Sequence, residues 1–180
     1  AFIGLGVMGY PMAGHLQAAG HATTVYNRTT AKAEAWVDEH EGVAAATPGQ
    51  AATAGEVVLV CVGNDDDLRS VVFGPEGILS GMSVGSVLVD HTTASAEVAR
   101  EIAAAAAQQG VGFVDAPVSG GQAGAETGQL SVMCGGSEET FASVETILEV
   151  YAKAVNLIGP VGAGQTTKMV NQICIAGLIQ

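Results

Sequence analysis

The stretch Gly4-Leu5-Gly6-Val7-Met8-Gly9 constrains this chain more than any other. A short apolar run, Phe2 and Ile3, leads into it, and from Pro11 the pattern turns helical, with Met12, Leu16 and Ala19 on one face. A strand that turns sharply into a helix asks for glycine three times: at Gly4 for the tight turn, at Gly6 so that backbone can approach a pyrophosphate, and at Gly9 for close packing of helix on strand. Phosphates would then rest on a helix N-terminus, where free N–H groups and the positive dipole end favour anions. Glycine turns of this kind also join strands to helices where nothing binds, so the flanking strand and helix give the motif its weight. The backbone of Gly4, Leu5, Gly6, Val7, Met8 and Gly9 is the first candidate site.

A chain of 180 residues with 48% hydrophobic content buries a full core and suits one globular unit. Its formal charge of −12 and pI near 4.4 would repel nucleic acid or an anionic membrane over most of the surface, so phosphate binding has to be local. Cys61, Cys134 and Cys174 lie far apart without metal-ligand spacing, and an odd count does not describe a secreted disulfide scaffold; no metal is expected, and a reduced cytoplasmic setting fits. The alanine-rich stretch Ile102 to Ala107 is too short to span a bilayer, and no signal-peptide pattern is present.

Short β-rich runs alternate with helical segments. Strands are expected at Ala22 to Tyr26, Gly42 to Ala46, Glu56 to Val62, Ser86 to Asp90, Val111 to Asp115 and Leu130 to Cys134. Helices are expected at Thr30 to His40, Pro48 to Ala54, Asp65 to Val72, Ser95 to Gln109 and Glu138 to Tyr151. The continuous apolar run EVVLVCV reads as a central parallel strand covered on both faces. Such alternation predicts an α/β fold with a doubly wound, mostly parallel sheet and a ligand crevice at the carboxyl ends of its strands. Glycine-rich Gly120 to Gly128 interrupts the rhythm.

At the end of the second strand, a dinucleotide fold reads the adenosine ribose. A site for NAD usually places Asp or Glu there, accepting from the ribose 2′-OH. Here Tyr26-Asn27-Arg28-Thr29 takes that place and offers no carboxylate. Arg28 and Lys32 are spaced as helix neighbours, which is unfavourable for like charges unless an anion lies between them. Asn27, Arg28, Thr29 and Lys32 therefore read as a pocket for the 2′-phosphate of NADP, against the alternative of solvated cations at a helix start. Two more strand ends face the crevice: Val62-Gly63-Asn64 and His91-Thr92-Thr93. Val62, Gly63, Asn64 and Thr93 are candidate cofactor contacts, although Asn64, Asp65, Thr93 and Ser95 also suit helix N-caps. His91 has no evident acidic or serine partner and is not taken as a base, while His15, His21 and His40 read as surface or helix-end residues.

The stretch DAPVSGG from Asp115 to Gly121 makes the pattern specific. Together with GLGVMGYPM, NRT and GAGQTTKMVNQ from Gly162 to Gln172, it resembles the β-hydroxyacid dehydrogenase family, which includes 3-hydroxyisobutyrate dehydrogenase and tartronate semialdehyde reductase and, more distantly, 6-phosphogluconate dehydrogenase. The resemblance implies a Rossmann-type dinucleotide-binding domain, an NADP-linked oxidoreductase acting on a small β-hydroxyacid or its semialdehyde, and a homo-oligomer. It implies that Ser119, Gly120 and Gly121 hold the substrate carboxylate, that Lys168 is catalytic, that Asn171 assists, and that Gln172 contributes at the substrate.

Physical chemistry is consistent with that assignment. Lys168, Asn171 and Gln172 stand at helix-neighbour spacing and project from one face. Glycines in SGG allow backbone amides to approach a carboxylate closely. The alternative from a different class is a non-catalytic NADP-binding module, which has no need of Lys168 or SGG; a related imine-reducing class replaces the lysine. Residues 1–161 are expected to form the dinucleotide domain, and 162–180 the start of a long interdomain helix. Met169, Val170, Ile173, Cys174, Ile175, Leu178 and Ile179 wrap most of that helix, which carries no stop signal at Gln180. In the resembling family an all-helical domain follows, closing the substrate site and forming much of the dimer interface. The 180-residue chain alone is expected to bind NADPH, turn over little and self-associate.

Overall fold

The computed structural model describes residues 1–53 and 55–179. The predicted end of one helix, at Ala54, and Gln180 within the expected interdomain helix lie outside the described residues. The first half of the chain comprises β1 (Phe2–Ile3), α1 (Gly9–Ala18), β2 (Thr24–Tyr26), α2 (Thr30–His40), β3 (Val43–Ala44), α3 (Pro48–Ala52), β4 (Val57–Val60), α4 (Asp65–Val72) and α5 (Ile78–Gly81). There follow β5 (Val87–Asp90), α6 (Ala96–Gln108), β6 (Gly112–Asp115), β7 (Val118–Ser119), α7 (Gly121–Glu126), β8 (Leu130–Gly135), α8 (Glu138–Leu148), β9 (Ala152–Gly159) and α9 (Ala163–Ile179).

Strands β3, β2, β1, β4, β5 and β6 lie side by side in that order, every pair parallel. The chain winds outward from β1 to β3, then returns to start again at β4 beside β1, so the strand order reverses between β1 and β4. A crevice opens at such a reversal, outside the carboxyl ends of the strands. Beyond β6 the sheet changes sense: β8 runs antiparallel to β6 and β7, and β9 runs parallel to β8.

Side chains alternate across the central strands, as the twofold period of a strand requires. Phe2, Leu59, Val89 and Val114 enter one buried cluster, with Leu16 of α1 and Trp36 of α2. Their neighbours Ile3, Val58, Leu88 and Phe113 enter the other, with Leu68 of α4 and Ile102 of α6. Each fully buried large side chain contributes roughly 1.5–3 kcal/mol of hydrophobic stabilisation, and the sheet is held from both faces.

Several elements depart from the sequence expectation, among them the short helix α5 and the short strand β7, which were not expected. Helix α1 starts at Gly9 rather than Pro11; proline is tolerated there because first-turn amides have no partner within a helix. The glycine-rich stretch after Ser119 contains the short helix α7. Helix α8 stops at Leu148, short of the predicted Tyr151, which is instead fully buried beneath the sheet end, and β9 follows where no strand was expected. The burial of β9 does not alternate cleanly, since it lies at the sheet margin, and that removes the periodic signal a strand normally writes into sequence.

Candidate active site

The three glycines of the first loop do three different things. Gly4 has φ +96°, and a Cβ there would lie 2.2 Å from the carbonyl oxygen of Cys61. A Cβ on Gly9 would lie 1.9 Å from the carbonyl oxygen of Gly4 and 2.9 Å from the Phe2 ring, so α1 can approach β1 only without a side chain there. Gly6 is exposed, and a Cβ there would meet nothing within 4 Å. Packing therefore explains Gly4 and Gly9 but not Gly6, whose bare backbone faces open space as a pyrophosphate would need. The helix ladder begins where Tyr10 N–H donates to Gly6 C=O at 3.0 Å, so the amides before it are not used within α1. Leu5 itself is buried, and its N–H donates to Asn27 Oδ1 at 2.9 Å, while Asn27 Nδ2 donates to Thr29 C=O at 3.0 Å. Asn27 thus braces the loop.

A cavity of about 670 Å³ runs along this loop. It brings together Gly4, Gly6, Val7, Met8 and Gly9 with Asn27, Arg28, Thr29 and Lys32 from the end of β2, and with Val62 and Gly63 after β4. A dinucleotide's adenosine half fits a cavity of this size and lining. Arg28 is not solitary, however: its Nη1 donates to Asp67 Oδ1 at 3.0 Å. The end of β2 lacks a carboxylate, as the sequence shows, but α4 supplies one from across the crevice. Only the tertiary fold could reveal it, because the two residues lie on different strand–helix units.

Asn64 and Thr93 stand apart from that lining. Asn64 caps α4, its Oδ1 accepting from Asp67 N–H at 2.9 Å. Asp65 accepts from the N–H (2.9 Å) and hydroxyl (2.6 Å) of Ser95, which itself caps α6, so the N-termini of α4 and α6 are tied together. These bonds hold the Asp65 carboxyl below the usual carboxylate range. Thr93 is exposed, whereas its neighbour Thr92 is buried and its Oγ1 accepts from Val62 N–H at 3.1 Å. His91 is buried: Nδ1 lies 2.7 Å from Ala116 C=O and Nε2 2.8 Å from the Tyr151 hydroxyl. A carbonyl only accepts, so Nδ1 carries the proton and Nε2 accepts from tyrosine. Burial lowers the His91 pKa to about 4, and the ring stays neutral as a structural link. His40 and His15 are less superficial than expected. His40 packs edge-on against Tyr10 and at a tilt against Trp36, and His15 Nε2 lies 3.0 Å from Ala125 C=O, joining α1 to α7.

At the ends of β5 and β6, Asp90 and Asp115 are register partners and both fully buried. Asp115 Oδ1 accepts from Gly162 N–H at 2.6 Å and Oδ2 from Gln165 N–H at 2.9 Å, so one carboxylate caps the start of α9. Gln165 completes the junction: its Nε2 donates to Thr92 C=O at 2.6 Å and its Oε1 accepts from Ala94 N–H at 3.1 Å. Gly164 lets α9 come this close, since a Cβ there would lie 2.3 Å from Met133 C=O. Asp115 and Gln165 were visible only as letters of two motifs; nothing in local sequence says that they bond to each other. Burial raises the Asp90 pKa to about 7, and its Oδ2 has no partner among the described residues.

One helical turn beyond Gln165, on the same face, stands Lys168. It is only 8% exposed and makes no ion pair among the described residues, and burial lowers its pKa from the usual lysine value. Asn171, a further turn along, is half-buried with its Nδ2 out of solvent and unpartnered. Gln172 is exposed and does not share that enclosure. Ser119 ends β7 half-buried, and Gly120 (φ +134°) and Gly121 (φ +61°) adopt backbone that favours glycine. DAPVSGG and GAGQTTK are therefore joined at Asp115, with Ser119 shortly after it in one segment and Lys168 shortly after the capped amides in the other.

A doubly wound sheet with a three-glycine loop at its reversal point is a dinucleotide-binding domain by its architecture. Residues 1–159 match the NAD binding domain of 6-phosphogluconate dehydrogenase, and the chain belongs to that family, within the β-hydroxyacid dehydrogenase relatives its motifs resemble. An uncharacterized oxidoreductase of Shewanella frigidimarina is 61% identical over 100% of this chain and 62% of its own length. A probable mitochondrial 3-hydroxyisobutyrate dehydrogenase-like protein of Arabidopsis thaliana is 44% identical over 97% of this chain and 52% of its own length. Among solved structures, 3-hydroxyisobutyrate dehydrogenase of Mycobacterium tuberculosis with L-serine superposes with a TM-score of 0.90 at 32% identity, covering 97% of this chain and 59% of that one. The chain thus spans less than two thirds of the length of these relatives. No helix among the described residues is long and apolar enough to cross a membrane.

Proposed function

We propose that this chain is the cofactor-binding part of an oxidoreductase that moves a hydride between NADP(H) and a small β-hydroxyacid or its semialdehyde, of the 3-hydroxyisobutyrate or tartronate semialdehyde type. Residues 1–161 form the dinucleotide domain, and α9 begins an interdomain helix whose exposed Met169, Val170, Ile173 and Leu178 offer an apolar face to further structure. The observation that carries the reading is Lys168: a buried lysine with no ion-pair partner among the described residues, held one turn past a helix start that two strand-end residues fix in place. A module that only binds a dinucleotide has no use for such a costly group.

The nicotinamide, when bound, supplies or accepts the hydride. Everything else is the task of the chain. The Gly6 backbone and the start of α1 receive the pyrophosphate, and Arg28 with Lys32 receives a 2′-phosphate. Ser119, Gly120 and Gly121 hold the substrate carboxylate. In reduction the Lys168 ammonium gives its proton to the carbonyl oxygen; in oxidation its neutral amine takes the hydroxyl proton. Burial brings its pKa down from the ordinary lysine value, which raises the fraction of amine available at neutral pH. The Asn171 amide, unpartnered within the described fold, orients the same oxygen or the carboxylate.

A panel of 3-hydroxyisobutyrate, tartronate semialdehyde and 2-(hydroxymethyl)glutarate, offered with either cofactor to the protein over the full length of its relatives, tests the assignment. Lys168→Ala should lower turnover by roughly a hundred- to ten-thousand-fold while leaving NADPH affinity nearly intact. Near-normal turnover in the alanine variant would show that the lysine is not the proton donor.

A further inference from the structure

The cavity beside the glycine loop holds a feature that the end of β2 alone does not explain. Three aspartates follow one another at the start of α4, and each has a different surrounding. Asp65 is bound by Ser95, and the Asp66 side chain is 99% exposed, near Arg69. Asp67 is turned into the cavity, where its carboxylate meets Arg28. The fold makes room for it: Gly63 also lines the cavity, and a Cβ there would come 2.6 Å from Asp67 Oδ2. The backbone of Asp67 is held by the Asn64 cap, which leaves the carboxylate's direction determined by the first turn of α4.

The pair is asymmetric. The Arg28 side chain is 83% exposed and that of Asp67 only 31%. An ion pair so open to water is weakly held, so Arg28 is free to exchange its partner for a better anion. A 2′-phosphate is such an anion, being able to engage a guanidinium at two oxygens. Asp67 cannot leave with equal ease. It stays within reach of the same site and repels a phosphate there, yet it accepts readily from a ribose hydroxyl.

We propose that Asp67 is a specificity-determining residue of the adenosine site: it serves as the internal counter-ion of Arg28, which a 2′-phosphate must displace, and supplies from α4 the ribose-facing carboxylate that β2 lacks. The site thereby binds NADP(H) less selectively than Arg28 and Lys32 would dictate by themselves. This rests on the dinucleotide reading above.

Calorimetric titration of the 180-residue protein and its Asp67→Asn variant with NADPH, NADH, 2′,5′-ADP and 5′-ADP tests it without any turnover measurement. Removing the charge should raise the preference for NADPH over NADH by up to about fivefold, the range expected for an exposed charge pair. The preference for 2′,5′-ADP over 5′-ADP should rise in parallel, and Asp67→Ser should act in the same direction. An unchanged preference in both folded variants overturns the proposal while leaving the dinucleotide site intact. Failure of the unaltered protein to bind any of the four ligands would instead bring down the dinucleotide reading, and this inference with it.

Discussion

His91 and Asp90 are consecutive, both buried, and opposed in their response to pH. The folded state holds His91 neutral with a pKa of about 4, below the ordinary histidine value, so the unfolded chain takes up a proton first as pH falls. Its contribution to stability is fully present above about pH 6.5 and is lost as pH drops towards 4, with a limiting slope of about 1.4 kcal/mol per pH unit. Asp90 has the opposite sign: its folded pKa is raised to about 7, so its neutral form is favoured in the fold and stability is lost as pH rises from about 4 to 7. Asp90→Asn removes the opposing contribution. Thermal melts between pH 4.5 and 7 should therefore show a steeper loss of stability on the acid side in the variant than in the unaltered protein. Equal slopes would mean that Asp90 is ionised in the fold throughout that range.

At the scale of elements, the junction between β1 and α1 separates a glycine that packing requires from one that packing does not. Gly9→Ala forces a Cβ onto the Gly4 carbonyl and the Phe2 ring, and overpacking of this kind costs about 1–3 kcal/mol or more. Gly6→Ala meets no neighbouring atom, so its effect on stability should stay within about 0.5 kcal/mol. The same methyl group would occupy the space that the proposed function gives to a pyrophosphate. Denaturation midpoints should fall for Gly9→Ala and not for Gly6→Ala, while NADPH affinity should fall for Gly6→Ala. The reverse pattern would contradict the division of labour within the loop. The other junction that matters, where Asp115 and Gln165 hold the start of α9, joins the segment bearing Ser119 to the helix bearing Lys168 through buried hydrogen bonds.

Across the whole molecule, the sheet is clamped between two apolar layers, and the crevice lies where its winding reverses. A dinucleotide seated there touches the ends of β1, β2 and β4 together, so it binds the folded chain and not the unfolded one. Saturation with NADPH at about 100 times its dissociation constant should add about 2.7 kcal/mol to stability. Trp36, the single tryptophan, is buried against α1 with its Nε1 donating to Tyr10 C=O, and reports global unfolding by fluorescence. The tryptophan melting curve should move to higher temperature with NADPH; an unmoved curve at saturating ligand would show that binding does not depend on the fold.

Much of this protein is determined by short-range pattern. The short apolar run Phe2–Ile3, the continuous run EVVLVCV and the capping serines and asparagines establish the β–α order, because each is a local property of a strand or helix end. The glycine loop is legible for the same reason, by the spacing a turn requires, while Lys168 stands out in the sequence through its motif. What the local pattern does not carry is pairing across distance. Asp67 reaches Arg28, Gln165 reaches Thr92, and Tyr151 reaches His91 only after the strands have taken their order. The margin strand β9 likewise escapes the periodic signal because its burial does not alternate. Local sequence specifies each backbone segment through propensity and spacing, whereas the partners of its charged and polar side chains are chosen by the sheet topology that brings distant strand ends together.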